Sequence, residues 1–292
     1  MSVDMNIQWF PGHMTKARRM MQEQLGLVDA VCEIVDARIP ESSRNPDLPD
    51  MVGAVPRLMI LNRIDQADPA ITRQWAALYR AAGFAVLETD SQSGKGVNAF
   101  SAVLKKLLAD KVAQNHAKGQ IGKPLRAMIV GIPNVGKSSF INRVAKRRAA
   151  VASDRPGVTR GKQWIRIESG LDLLDTPGIL WPKFDSRTVG ENLAFTGAVR
   201  DEIIDRETLA ANLLLRLRET YADRITARYK FEPDPAANGY ELLETAARRR
   251  GFLRAGNEVD LERMAIILLD EFRGGKLGRI TLETPPKEDG DV

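Results

Sequence analysis

Gly131-Ile132-Pro133-Asn134-Val135-Gly136-Lys137-Ser138 is the stretch on which the fold turns. It is a G-x-x-x-x-G-K-S loop. The apolar run Arg126–Val130 precedes it, and the helical spacing of Phe140, Ile141 and Val144 follows. Strand, glycine-rich turn and helix in that order line up backbone N–H groups around phosphate oxygens, and the helix N-terminus adds positive potential. Asn134, Val135, Gly136, Lys137, Ser138 and Ser139 are the predicted cradle. Lys137 is placed to reach β- and γ-phosphates, and Ser138 to ligate Mg²⁺.

Downstream, the run Leu171–Leu174 ends in Asp175-Thr-Pro-Gly178. A carboxylate at a strand end can hold Mg²⁺ through water, and the Gly178 N–H can meet a γ-phosphate. Alone, the tetrapeptide also reads as a Pro-Gly turn. Thr159 lies between, in Arg155-Pro-Gly-Val-Thr-Arg-Gly-Lys162, and is read as a switch threonine closing over γ-phosphate and Mg²⁺.

Upstream, strand-like runs at Val28–Val35, Arg57–Leu61 and Ala85–Leu87 alternate with helical faces such as Ile71, Trp75, Leu78, Tyr79 and Ala82. With strands at Trp164–Ile167 and Leu171–Leu174, this predicts an α/β domain with a mostly parallel sheet and helices on both faces. Lys111–Lys123 reads as a connector. After Pro182 strand signals fade, and amphipathic runs around Leu209–Tyr221, Leu242–Ala246 and Leu261–Phe272 predict a small all-α domain. The expected division is 1–185, 186–283 and a disordered tail, 284–292.

Asn62-Arg63-Ile64-Asp65 closes the strand at 57–61. A carboxylate there can accept two hydrogen bonds from the N1–H and N2–H₂ edge of guanine, a donor pair that adenine lacks. Asn62 would brace the loop, and the stem of Arg63 would cover the base. Asp90-Ser91-Gln-Ser-Gly-Lys-Gly96 would supply a backbone N–H to the base oxygen. Together these stretches resemble the two guanine-specificity motifs of Ras-like GTPases, with Arg63 at the usual lysine and Ser91 where alanine is common. Base-reading motifs precede the phosphate loop here, the reverse of the usual order, so the domain resembles a circularly permuted P-loop GTPase.

Trp9-Phe-Pro-Gly-His13-Met, Asp36-Ala-Arg-Ile-Pro40 and Asp175-Thr-Pro-Gly-Ile-Leu-Trp-Pro182 bring the resemblance closer. With the permuted order, the chain resembles the ribosome biogenesis GTPase A family (the YlqF group, related to mitochondrial ribosome-associated GTPases). That resemblance implies a cytoplasmic GTPase, binding GTP and GDP, that acts on the large ribosomal subunit late in assembly and contacts rRNA through its C-terminal helices. Ras-like enzymes position water with a glutamine after Asp-x-x-Gly; here that place holds Ile179. Read from its residues, the Trp9–His13 segment docks on the sheet or touches RNA; the resemblance makes His13 the catalytic candidate, since a neutral imidazole can orient water near pH 7. It also marks Asn134 as a K⁺-supporting position.

The 292-residue chain carries 43 Lys and Arg against 38 Asp and Glu, a net charge of +5 that permits a nucleic-acid partner. Arg248, Arg249, Arg250 and Arg254 form the densest basic cluster of the C-terminal part and are the RNA candidates. One cysteine and two histidines exclude a disulfide framework and a His-rich metal site. The longest apolar run, Met264–Leu269, is 6 residues against about 18 for a membrane span. The expectation is a soluble, monomeric, cytoplasmic protein without a membrane partner. Two other readings stand beside it: a non-catalytic GTP-gated RNA-binding switch, and a P-loop phosphotransferase, which Asn62–Asp65 disfavours.

Overall fold

The computed structural model describes residues 14–145, 163–167, 170–178, 180–181, 184, 186–199 and 204–286. Six strands form one sheet: β1 (Ala30–Asp36), β2 (Arg57–Asn62), β3 (Ala85–Glu88), β4 (Leu125–Val130), β5 (Gln163–Ile167) and β6 (Leu171–Asp175). Their order is β3-β2-β1-β4-β6-β5. All pairs are parallel except β5 with β6. Every residue of β1 is buried, as both faces of a central parallel strand must be.

Helices α1 (Met14–Leu25), α2 (Leu48–Val52), α3 (Pro69–Ala81), α4 (Phe100–Leu107), α5 (Ala109–Ala117) and α6 (Lys137–Val144) accompany the sheet. Asp68 starts α3 by accepting the N–H groups of Ala70 and Ile71 at 2.8 and 3.3 Å, with Pro69 in the first turn. Trp75, Ala76 and Tyr79 of α3 then pack on Val35, Met59 and Leu61. The connector expected at 111–123 is helical in its first half, because α5 runs to Ala117. His116 is exposed there.

Contacts divide the described residues into two compact units, one within Phe10–Pro182 and Glu283–Val292, the other within Lys183–Leu282. Glu283 therefore belongs with the sheet. Its carboxylate accepts the N–H groups of Glu41 and Ser42 and the Ser42 hydroxyl, and its carbonyl accepts Trp75 Nε1–H at 2.9 Å.

The second unit holds α7 (Arg187–Phe195), α8 (Arg206–Tyr229), α9 (Gly239–Arg249) and α10 (Leu261–Arg273). Leu213, Leu217, Leu243, Ala246, Leu268 and Phe272 are among its buried core. α9 opens with a full capping box, Asn238 with Glu241. Glu271, buried, accepts hydrogen bonds from Arg228, Arg250 and the Tyr229 hydroxyl. α7 escaped the periodicity reading because its apolar residues cluster at one end, Leu193–Phe195.

Candidate functional site

In an open parallel sheet, ligands gather beyond the carboxyl ends of the strands. Here β1, β2 and β6 end in Asp36, Asn62 and Asp175, β3 runs into the 90–96 loop, and β4 into the 131–138 loop. Parallel pairing puts all five at one edge. Register sets Asp36 opposite Asn62.

Asn62 is buried and joins three segments. Its Nδ2–H donates to the Val135 carbonyl at 2.9 Å. Its Oδ1 accepts the Thr89 hydroxyl, the Ser91 N–H and the Ser91 hydroxyl at 3.1, 3.2 and 2.7 Å. Only glycine fits at Gly136, because a Cβ there would lie 2.4 Å from Asn62 Nδ2. Arg63 adopts the left-handed conformation (φ 63°) and donates to the Asn134 carbonyl at 2.8 Å. On its other side it meets Asp36 Oδ2 at 3.6 Å. Asp36 is itself locked by a two-point pair with Arg38, at 2.9 and 2.7 Å. Burial would raise the Asp36 carboxyl, but Arg38 outweighs it and holds it below the usual range.

A cleft opens between these segments, lined by Asn62, Arg63, Asp65, Gln66, Asp90, Ser91, Gln92, Gly136 and Ser139. Asp65 is exposed to it, and partial burial together with the nearby Asp90 raises its carboxyl. The Ser91 N–H, by contrast, is directed to Asn62 rather than into the cleft.

The phosphate half is arranged differently. Lys137, buried, donates to the carbonyls of Gly131 and Ile132 at 3.0 and 2.8 Å. Burial lowers it to about 8, against the pull of Asp175. Burial likewise raises the Asp175 carboxyl, and its Oδ1 is a buried acceptor with no hydrogen-bond donor. Gly178 packs so closely that a Cβ would sit 2.8 Å from Pro133. Ser138 and Ser139 are exposed at the start of α6. An unpartnered carboxylate oxygen and a hydroxyl at a helix N-terminus are a hard-oxygen donor set that suits Mg²⁺.

The structure thus brings Asn62, Arg63, Asp65, Ser91, Gly136 and Ser139 to one cleft, with Ile64 half-buried beside Asp65 and packed toward the α3 side. Asn134, Val135, Lys137 and Ser138 fall in the adjoining loop, and Asp175 and Gly178 approach it. His13 and Thr159 lie outside the described residues. Asp90 and Gln92 of the 90–96 loop also line the cleft, as does Gln66, which no spacing rule marks as a pocket wall. Of the RNA candidates, Arg248 pairs with Glu244 at 2.8 Å, Arg250 with Glu271 at 2.7 Å and Arg254 with Asp260 at 2.8 Å. Arg249 is exposed and makes no ion pair among the described residues.

Residues 126–227 match a family described as a 50S ribosome-binding GTPase. Ribosome biogenesis GTPase A of Priestia megaterium is 47% identical over 283 residues, covering 96% of this chain and 98% of that protein. The protein of the same name from Thermotoga maritima is 32% identical, covering 96% of this chain and 95% of its own length. The crystal structure of GNP-bound YlqF from T. maritima superimposes with a TM-score of 0.63 at 28% identity, covering 93% of this chain and 99% of that one.

Proposed function

The chain belongs to the ribosome biogenesis GTPase A family, and on that premise we propose how its site reads and turns over GTP. It is a GTP-hydrolysing ribosome assembly factor. The observation that carries the site assignment is the shared cleft: Asp65, exposed, faces it, and Asn62 fastens both the phosphate loop and the 90–96 loop around it.

Asp65 accepts the N1–H and N2–H₂ edge of guanine; Arg63 covers the base; the 131–139 loop takes the phosphates. Mg²⁺ would be held by Ser138, by Thr159 and through water by Asp175, and when bound it neutralises charge on the β- and γ-oxygens. The chain's own part is to hold Lys137, buried at the start of α6, beside those oxygens. The order of parts supports a circular permutation: the 50S ribosome-binding GTPase match begins at residue 126, after both base-reading segments. The expected domain division, 1–185 and 186–283, puts the boundary directly after the Asp175 segment, so a γ-phosphate signal reaches the helical domain through a short linker.

His13 positions the attacking water, since Ile179 cannot. His13→Ala should lower kcat by roughly a hundredfold or more while leaving GTP affinity intact; lost affinity would overturn the role. K⁺ beside Asn134 adds fixed positive charge at the phosphates, and equal turnover in NaCl and KCl would remove it. The GTP form binds the large-subunit precursor late in assembly, with Arg249 leading the RNA contacts of the 248–254 cluster and Arg248, Arg250 and Arg254 in support.

The deciding experiment is GTP turnover in KCl with and without purified large ribosomal subunits, with ATP as control. GTP-only hydrolysis raised by the subunit is the expected result. GTP binding without turnover on the particle would favour the GTP-gated binding switch that Ile179 suggests.

A further inference from the structure

Arg143 stands in the last turn of α6, the helix that begins at Lys137. Its guanidinium reaches the 90–96 loop, donating from Nε to the Ser91 carbonyl at 3.4 Å and from a terminal nitrogen to the Gln92 carbonyl. Gly94 admits it: a Cβ there would come within 3.2 Å of Arg143 Nε. Both acceptors are main-chain carbonyls, so the contact fixes peptide planes.

In a trans peptide the C=O and the following N–H point in opposite directions. Holding the carbonyls of Ser91 and Gln92 toward Arg143 therefore turns the N–H groups of Gln92 and Ser93 the other way. There both donate to Asp90 Oδ1, at 2.8 and 3.2 Å. Asp90, Gln92 and Asp65 line the same cleft. A single oxygen thus sits at the focus of two N–H donors, in the cleft whose other wall carries a carboxylate suited to a guanine donor edge. Beside the N1–H end of that edge guanine carries an acceptor, its 6-oxo group. Adenine has an amino group there, which would meet donor with donor.

We propose that Arg143 is a positioning residue for guanine recognition: it aims the Gln92 and Ser93 N–H groups into the cleft, where the 6-oxo group of the base takes them over from Asp90. The proposal rests on the guanine reading of Asn62–Asp65. One helix then serves both halves of the nucleotide, phosphates at its first turn and the base loop at its last.

The test is equilibrium binding of the full chain to GDP, ADP and 6-thio-GDP at pH 7, for the parent, Arg143→Met and Arg143→Lys, with melting temperature as a control. Sulfur at position 6 is a weak acceptor and leaves the donor edge in place. The parent should prefer GDP over 6-thio-GDP by about tenfold, one good hydrogen bond. Arg143→Met should lose that preference through weaker GDP binding, with 6-thio-GDP little changed. Arg143→Lys, which keeps one donor, should fall between. An equal loss on both ligands, or an undiminished preference, overturns the role of Arg143 while selectivity of the parent for GDP over ADP leaves the guanine reading standing. A parent that binds ADP as tightly as GDP overturns both.

Discussion

The two halves of the nucleotide cleft are built on opposite principles. Around the base, the polar groups are matched to one another: Asn62 alone takes part in four hydrogen bonds that tie β2, the 90–96 loop and the phosphate loop together. Around the phosphates, a buried ammonium rests on two carbonyls and a buried carboxylate oxygen has no donor. A base is recognised by direction, so its donors and acceptors are best fixed beforehand, when their ordering cost is already met within the fold. Triphosphate and metal bring charge, and the groups that meet them keep theirs poorly compensated until they arrive. Substitutions in the phosphate half should therefore act through charge and be large, and those in the base half through geometry and be smaller.

The largest effect is expected from Lys137→Ala. Removing the one buried ammonium of the phosphate loop should weaken GDP and GTP binding by about 4 kcal/mol, roughly a thousandfold, by calorimetry or fluorescent-nucleotide titration. The same residue gives a pH signature. As it stands, Lys137 titrates at about 8. Phosphates beside it favour the charged form and raise that value on binding. Below pH 8 the lysine is charged with or without nucleotide, so affinity is flat in this respect. Above pH 8 binding must take up a proton, and affinity falls by up to about tenfold per pH unit. Proton uptake measured at pH 9 in two buffers of different ionisation enthalpy checks the sign. Loss of less than tenfold for Lys137→Ala would break the contrast between the halves.

Asp65→Asn comes next. The guanine edge loses a charge-assisted pair of acceptors, worth about 3 kcal/mol or roughly a hundredfold in GDP affinity, whereas xanthosine diphosphate, with a carbonyl at position 2, should gain. Because Asp65 is exposed, the melting temperature should hold. Burial and the neighbouring Asp90 raise the Asp65 carboxyl. Binding needs the anion, so GDP affinity should weaken as pH falls through that raised value, and the acid limb should vanish in Asp65→Asn. Asn62→Ala touches neither base nor phosphate in this reading. It strands the Val135 carbonyl and the Ser91 donors in a buried place, at about 2–3 kcal/mol of stability by denaturant unfolding, with GDP affinity down about tenfold.

How far the sequence could be read follows the same division. Glycines and lysine of the phosphate loop are demanded by backbone approach and charge at fixed spacing, so 131–138 was legible outright, as were the strands, whose apolar runs differ from the observed limits by two residues or fewer at each end. Asn62, at the end of β2, and Asp65, three residues on, were legible as members of one loop, and both line the cleft. The cross-bracing was not. Arg143 sits 51 and 52 residues from the carbonyls it holds, and nothing in a run of basic residues distinguishes a clamp from a solvated arginine. Asp36 and Arg38 were visible as a motif without a purpose, which only the approach of Arg63 supplies. Three of the four arginines of the 248–254 cluster pair with carboxylates of their own unit. Their density along the chain overstated their free charge. The helix in 109–117 was missed because its polar sequence buries only Asn115.

The smallest effect, and the sharpest test of the contrast, is expected at Arg63, the residue that touches both halves. It donates to the Asn134 carbonyl in the phosphate loop at 2.8 Å and meets Asp36 at 3.6 Å behind the base loop. Lysine there can keep the first contact with its one ammonium but cannot also span to Asp36, since it lacks the fork of the guanidinium. Asp36 does not depend on Arg63, because Arg38 still holds both of its oxygens. Arg63→Lys should therefore cost about 1 kcal/mol of stability or less and change GDP affinity by no more than about threefold. Arg63→Met, which removes the donor to Asn134 as well, should exceed it, and should do so equally for GDP and GTP because the contact is to backbone rather than to the terminal phosphate. If Arg63→Lys instead matched Asn62→Ala, the Asp36–Arg63 contact would be a primary brace of the cleft, and the base half would owe its order to buried charge after all.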